Sequence, residues 1–409
     1  MMFLRFFVWQ MDGSIYGLCH NVIDQSMNAK LEACFMLTRL LKFINWILPK
    51  DDGLAVFDSV PDFSGNSQAL FEFMRDMGEP EAVWIVEEPL DIEGVRQERR
   101  HSLRALLTIL RAGSLVSTHG RMSEIRVRRQ KYVNLWHGMP LKAMGYAETG
   151  GREFKEPVRF DDENYYLIAT STIMRNAMAA CFNQDARRIH ITGQPRNDKL
   201  FRSDGRIPEI TGIDTGSYSK VVLFAPTFRA SDYISDGRLI SHHLNLPDFD
   251  AEAFSGFLKE KNILFLVKFH PLEEEEARRF FSEMDNVVLI GSDDLAERYM
   301  DLYDVLPGVD VLVTDYSSVY FDFLLLDRPV IFAVPDLEEY RRVRGFVLEP
   351  FEFWAPGPRV ETFSDFLEEL ERCLEDDDYY RRERRIVNSL VNQQQDGESS
   401  RRVYELVWG

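Results

Sequence analysis

The sequence predicts an α/β protein with two parallel-sheet domains facing each other across a cleft. Three observations predict it. Short apolar runs alternate with helical segments along the chain, which is the pattern of βαβ units. The chain has 409 residues, more than one ordinary core serves. Five of the apolar runs end in polar or charged residues, where open α/β sheets place their ligands.

Composition narrows the class. Apolar residues make up 45% and charged residues 28%, the balance of a soluble globular protein. The net charge of −19 argues against non-specific nucleic-acid binding. Cys19, Cys34, Cys181 and Cys373 are scattered, with no CxxC pair. They read as reduced core thiols of a cytoplasmic protein, not as a disulfide frame or a zinc site. There is no GxxxxGK[ST] P-loop and no GxGxxG after a strand, which excludes a P-loop ATPase and a dinucleotide oxidoreductase.

Residues 1–48 form an N-terminal segment. Met1–Trp9 is apolar but short, and no small-residue cleavage site follows, so no signal peptide is expected. Leu31–Leu48 predicts a helix with Thr38, Arg39, Lys42 and Asn45 on one face and apolar residues over the rest. Two basic residues in its middle make it a poor membrane span. The bilayer interface and the core of the first domain both remain as its home. Pro49 ends it.

Residues 49–205 form the first domain. Strands are predicted at Leu54–Asp58, Ala82–Val86, Ser114–Thr118, Tyr132–Trp136, Tyr166–Ala169 and Ile189–Thr192. Helices fall at Asn66–Met77, Val95–Leu110 and Thr172–Phe182, the last capped by Thr170-Ser171. Arg121, Arg126, Arg128, Arg129 and Lys131 read as a solvated turn or as a cationic rim for an anionic acceptor or lipid headgroups. The polar, glycine-containing stretch Ser203–Ser219 marks the boundary.

Residues 206–385 repeat the rhythm. Strands are expected at Val221–Ala225, Ile263–Lys268, Val287–Ile290, Val309–Val313 and Val330–Ala333, the last ending the sheet. Val319–Leu326 is a helix. His242-His243, in a polar insertion, has no third ligand nearby and does not read as a metal site. Residues 386–409 read as a C-terminal helix packing back across the domains.

The five strand ends are the candidate site. Tyr132–Trp136 runs into His137-Gly138, and Pro140 forbids further strand. His137 is the side chain most easily tuned as a general base near neutral pH. The others are Pro195-Arg196-Asn197, Pro226-Thr227-Phe228-Arg229, Lys268-Phe269-His270-Pro271 and Thr314-Asp315-Tyr316-Ser317-Ser318. Ser317 and Ser318 stand where a strand turns into a helix, so their hydroxyls and free N–H groups offer an anion site as well as a cap.

Together these motifs resemble the CDP-glycerol glycerophosphotransferase family, the teichoic acid and capsule polymerases and primases. Leu135–Lys142, Gly193–Asp198, Ala225–Arg229, Lys268–Pro271 and Thr314–Ser318 carry the resemblance. Phe321-Asp322, Arg328–Phe332, Asp336–Tyr340 and Asp396-Gly397 extend it. It spans roughly residues 49–405, and Met139 departs from the family's usual Thr or Ser. The resemblance implies a GT-B-like pair of Rossmann-like domains and peripheral attachment to the inner face of the cell membrane. It implies transfer of glycerol phosphate or ribitol phosphate from CDP-glycerol or CDP-ribitol to a lipid-linked or polymer acceptor, with release of CMP. His137 and His270 are then the catalytic candidates. Gly138, Arg196, Asn197, Thr227, Arg229, Thr314, Asp315, Ser317 and Ser318 are the substrate-binding ones. No obligatory cofactor is expected, and Mg²⁺ is compatible through the diphosphate. Two rival readings stand beside this one: a GT-B glycosyltransferase or epimerase using a sugar nucleotide, and an inactive membrane-scaffold relative.

Overall fold

The structure is a computed structural model. It describes residues 25–78, 80–148, 162–202, 204–228, 244 and 246–409, with side chains from Met36 onward. Met1–Trp9, Cys19, Arg229 and His242-His243 lie outside the described residues, and so does the side chain of Cys34.

The first sheet has seven strands: β1 (Asp51–Asp58), β2 (Glu81–Val86), β3 (Arg96–Arg99), β4 (Ala112–Ser117), β5 (Lys131–Asn134), β6 (Tyr165–Ala169) and β7 (Ile189–Ile191). All pair in parallel, in the order β3-β2-β1-β4-β5-β6-β7. The second sheet has six: β8 (Lys220–Phe224), β9 (Ile263–Val267), β10 (Val287–Leu289), β11 (Val311–Thr314), β12 (Val330–Ala333) and β13 (Arg359–Val360). Its order, β10-β9-β8-β11-β12-β13, repeats that of the first sheet, again all parallel. Each sheet reverses direction beside its first strand, at β1/β4 and β8/β11. Crevices outside the carboxyl ends of strands open at such switch points.

The strands are central and apolar because both faces are covered. Val222, Phe224, Phe265 and Val267 meet one layer of the second domain. Leu223, Leu264, Leu266 and Leu312 join a core that continues into the first domain through Met139, Leu141 and Leu200. The last helix, Ser399–Trp408, returns to the first domain, where Val403 and Val407 pack with Phe57, Phe71 and Trp84. Asp198 holds its start: the N–H groups of Ser399 and Ser400 each donate to its carboxylate at 2.8 Å.

Three elements differ from expectation. The helix read over Val95–Leu110 is split into strand β3 and a helix, Leu103–Arg111. His101 takes φ +66° between them, and the Ser102 hydroxyl accepts from the Ala105 N–H to start the helix there. β12 does not end the second sheet, because β13 pairs beyond it. The N-terminal helix, Gln25–Ile47, buries a residue assigned to its polar face. Asn45 is fully covered and donates 2.7 Å bonds to the Ile125 carbonyl and the Gln130 side chain, while Lys50 donates to it at 2.6 Å. A polar side chain is tolerated there because each of its groups is satisfied. The basic run after β4 is partly structural too, since Arg126 is buried against the Asp162 carboxylate at 2.5 and 2.7 Å.

Candidate active site

All five motif loops leave carboxyl ends of strands and converge on one cleft of about 910 Å³ between the sheets. From the first domain come His137, Gly138 and Arg196. From the second come Thr227, Phe228, Lys268, His270, Ser317 and Ser318.

The His137 loop is built by local constraints. Asn134, the last residue of β5, accepts the Trp136 N–H on its side chain at 3.1 Å. Trp136 then turns at φ +54°, a left-handed conformation that costs a non-glycine residue about 1–3 kcal/mol. Asn66 holds the turn by donating to the Trp136 carbonyl at 2.8 Å. Gly138 follows at φ +149°, where its hydrogen faces the second domain: a Cβ there would lie 2.8 Å from the Ser318 Oγ. The His137 loop of one sheet therefore meets the helix-start loop of the other.

His137 Nδ1 lies 3.2 Å from the Thr118 carbonyl oxygen. A carbonyl only accepts, so Nδ1 carries the hydrogen and Nε2 is left with its lone pair. Trp136 stacks on the ring at 4.2 Å and His119 at 4.4 Å, the latter 6° from parallel. On the second domain Phe228 stacks on His270 at 4.1 Å, and the Leu272 N–H approaches His270 Nδ1 at 3.4 Å. Ser317 and Ser318 stand at the start of the helix Val319–Phe323. Thr227 is nearly buried, and its hydroxyl has no protein partner among the described residues.

The remaining predicted residues are near the cleft but do not line it. The Thr314 hydroxyl donates to the Ala225 carbonyl at 2.7 Å, and the Asp315 carboxylate accepts the Thr227 N–H at 2.8 Å. Both are fully buried and tie the β8 and β11 loops together. Asn197 turns inward to donate to Asp322 at 2.9 Å.

A sequence model of the CDP-glycerol:poly(glycerophosphate) glycerophosphotransferase family matches residues 40–409. The chain belongs to that family. It is 30% identical over 397 residues to a teichoic acid poly(glycerol phosphate) polymerase of Bacillus spizizenii, covering 89% of this chain and 94% of the relative. It is 28% identical to a teichoic acid glycerol-phosphate transferase of Staphylococcus aureus, covering 85% and 90% of the two chains. The solved structure of the wall teichoic acid polymerase TagF shares the fold, with a TM-score of 0.73 at 19% identity over 93% of this chain and 96% of that one. The protein is thus a transferase of a glycerophosphotransferase family, with two Rossmann-like domains in a GT-B-like arrangement.

Electrostatics favour a neutral imidazole at His137. Burial among the cleft walls pulls the His137 imidazole down to about 4, against the upward pull of its bond to Thr118 and with the Arg196 charge adding to the fall. His137 is nonetheless exposed at the cleft surface, which tempers the desolvation. His270 is also lowered, first by burial and then by the Lys268 ammonium, with Glu274 opposing. Lys268 is held at 2.7 Å from Glu274 and 2.9 Å from the Ser292 hydroxyl, which fixes a positive charge on the cleft wall.

Sequence reasoning did not single out Asn66, His119, Tyr303 or Asp322 as site residues. His119 directly follows the predicted strand Ser114–Thr118. Asn66 had only its place at a helix start after β1, which reads equally as a cap. Among the described residues, no group of three or more His, Cys, Asp or Glu side chains converges as a metal site.

Proposed function

We propose that this protein transfers glycerol phosphate or ribitol phosphate from CDP-glycerol or CDP-ribitol to a hydroxyl of a lipid-linked or growing polymer acceptor. The observation that carries the reading is the meeting of the His137 loop with the Ser317-Ser318 helix start, brought within contact at Gly138.

The chemistry fits those groups. An alcohol is a weak nucleophile whose proton becomes acidic as it attacks, so a neutral imidazole with a free Nε2 assists. His137 takes the acceptor proton. The oxygen bonds to the alditol-side phosphorus, the bond from that phosphorus to the bridging oxygen breaks, and CMP leaves as a phosphate that needs little protonation. Negative charge on the diphosphate needs donors placed in advance. Ser317, Ser318 and their backbone N–H groups, Thr227, His270 and Arg229 supply them in this reading. Met139 is buried at 4% exposure, which suits an apolar residue at that position.

The acceptor reading brings the enzyme to a membrane surface as a peripheral protein. No helix of the described residues is long and apolar enough to cross a membrane. The N-terminal helix supports attachment, because it has two apolar stripes. Leu37, Leu41, Ile44 and Leu48 pack on the core, whereas Met36, Leu40, Phe43 and Ile47 remain 53–70% exposed. A lone helix stripe left bare beside the basic Arg39 and Lys42 suits an anionic interface.

The deciding experiment offers CDP-glycerol, CDP-ribitol and a UDP-sugar with lipid-linked alditol-phosphate acceptors, and measures the nucleotide released. CMP release that depends on acceptor is expected. Release of UDP from the sugar nucleotide with none from the CDP-alditols would make the protein a glycosyltransferase, and no release from any donor would leave an inactive relative.

A further inference from the structure

The base and the anion site belong to different domains, so something must fix their separation. We propose that Asp322 is the positioning residue that sets it, through a buried chain of hydrogen bonds running from the donor-side helix to both carbonyls flanking His137. The proposal rests on the reading of His137 as base and of Ser317-Ser318 as the diphosphate end.

Asp322 lies on the helix Val319–Phe323, four residues after Ser318, and is 2% exposed. Its carboxylate takes three donors. Asn197 Nδ2 reaches one oxygen at 2.9 Å, while Arg196 Nη2 at 2.9 Å and the Tyr303 hydroxyl at 2.5 Å reach the other. The Arg196 guanidinium also lies 4.3 Å above the Tyr303 ring, which stacks it in place. The domain boundary is crossed at these Asp322 contacts, and the chain continues within the first domain. The same Arg196 Nη2 donates to the His137 carbonyl at 2.9 Å. The Arg196 backbone N–H donates to the Asn66 side chain at 3.1 Å, and Asn66 donates in turn to the Trp136 carbonyl at 2.8 Å.

Each link is short, and Asn66, Asn197, Tyr303 and Asp322 are buried. A buried carboxylate with this many partners costs desolvation that hydrophobic packing would not incur, so its usual return is geometric specificity. Here the geometry specified is the one that reaction needs: an acceptor proton on one domain and a phosphorus on the other, held to within a fraction of an ångström. It also explains why Arg196, although on the cleft wall, has its charge already neutralised. Arg196 acts through His137 and Asp322 before it acts on any substrate.

The test compares full-length wild type with Asp322→Asn, which keeps the shape and loses the second charged acceptor, and with Tyr303→Phe, which removes one donor and leaves the ion pair. Turnover with a CDP-alditol, CMP affinity by calorimetry, melting temperature and amide hydrogen exchange are measured on each. For Asp322→Asn a fall in kcat of roughly 10–100-fold is expected, with CMP affinity within threefold. Exchange in residues 135–139 and 314–319 should rise together, while β2 and β9 stay protected. Tyr303→Phe should shift the same readings by a smaller factor, and decides the matter if Asp322→Asn does not fold. Unchanged exchange at residues 135–139 overturns the proposal, as does a loss of CMP affinity equal to the loss of kcat. A purely structural Asp322 would lower the melting temperature at constant kcat per folded molecule, which also overturns it. Exchange is read without substrate, so an absence of turnover in the wild type would sink the reaction assigned above and leave the strut to be judged on its own.

Discussion

His137 donates from Nδ1 to the carbonyl oxygen of Thr118, 3.2 Å away, so Nε2 is left with its lone pair. The contact fixes the tautomer as well as the orientation, and the stacked rings of Trp136 and His119 allow little rotation about it.

A pH dependence follows. If His137 is the base proposed above, it works only as neutral imidazole, and protonation removes it. Because burial holds His137 below its ordinary value of 6.5, toward about 4, the protein should keep its turnover as pH falls past the usual histidine range. The acid limb of kcat/KM should lie between those two values, and His137→Ala should lower kcat by roughly 10²–10⁴ with CMP affinity nearly intact. A limb at or above the ordinary histidine value, or near-normal turnover in the alanine variant, would assign the proton transfer to another group.

Gly138 is one point where the two domains meet at the site. An alanine methyl there would stand 2.8 Å from Ser318 Oγ on a backbone at φ +149°. Gly138→Ala should therefore cost about 1–3 kcal/mol of stability and most of the activity. Adding Ser318→Ala removes the clashing oxygen but not the backbone strain. Calorimetric melting of the double variant should show partial recovery of stability; additive losses would mean that the loops are not in contact.

Much of this was legible in the sequence for a physical reason. Parallel strands buried on both faces must be apolar runs, so β1, β6 and β11 announce themselves, and the loops after them must be polar. The motif residues at β5, β8, β9 and β11 were legible on the same ground. What was not legible depends on distant partners. Arg196 and Asn197 read as substrate ligands because nothing in a linear sequence says that Asp322, over a hundred residues away, will meet them. Thr314 and Asp315 read as ligands for the same reason, although their side chains close the Ala225–Thr227 loop. β3 was missed because Arg-Gln-Glu-Arg at a sheet edge has no apolar pattern to distinguish it from helix.

Asp198 offers a test of stability. Its carboxylate, 3% exposed, accepts both N–H groups that start the C-terminal helix. Asp198→Ala leaves those donors buried and unpaired, at about 1–3 kcal/mol. Chemical denaturation should show that loss, and limited proteolysis should release the last helix first. Asp198→Asn, which keeps one acceptor, should recover part of it; equal losses in the two variants would place the cost in packing instead of capping.

The N-terminal helix separates two outcomes that one substitution alone would confuse. Leu41 is buried and its side chain belongs to the core, so Leu41→Glu should unfold the domain and says nothing of membranes. Leu40 and Phe43 are 53% and 58% exposed on the adjacent stripe, so Leu40→Glu/Phe43→Glu should leave the melting temperature within a few degrees. If the stripe sits in an anionic bilayer, each buried side chain contributes about 1.5–3 kcal/mol and the nearby basic residues about 1 kcal/mol each. The double variant should then lose flotation with anionic liposomes, and high salt should weaken the wild type. The net charge of −19 makes the contrast sharp, because a protein so acidic has no general attraction to such vesicles. Flotation of the folded double variant at the wild-type level would show that the anchor lies elsewhere.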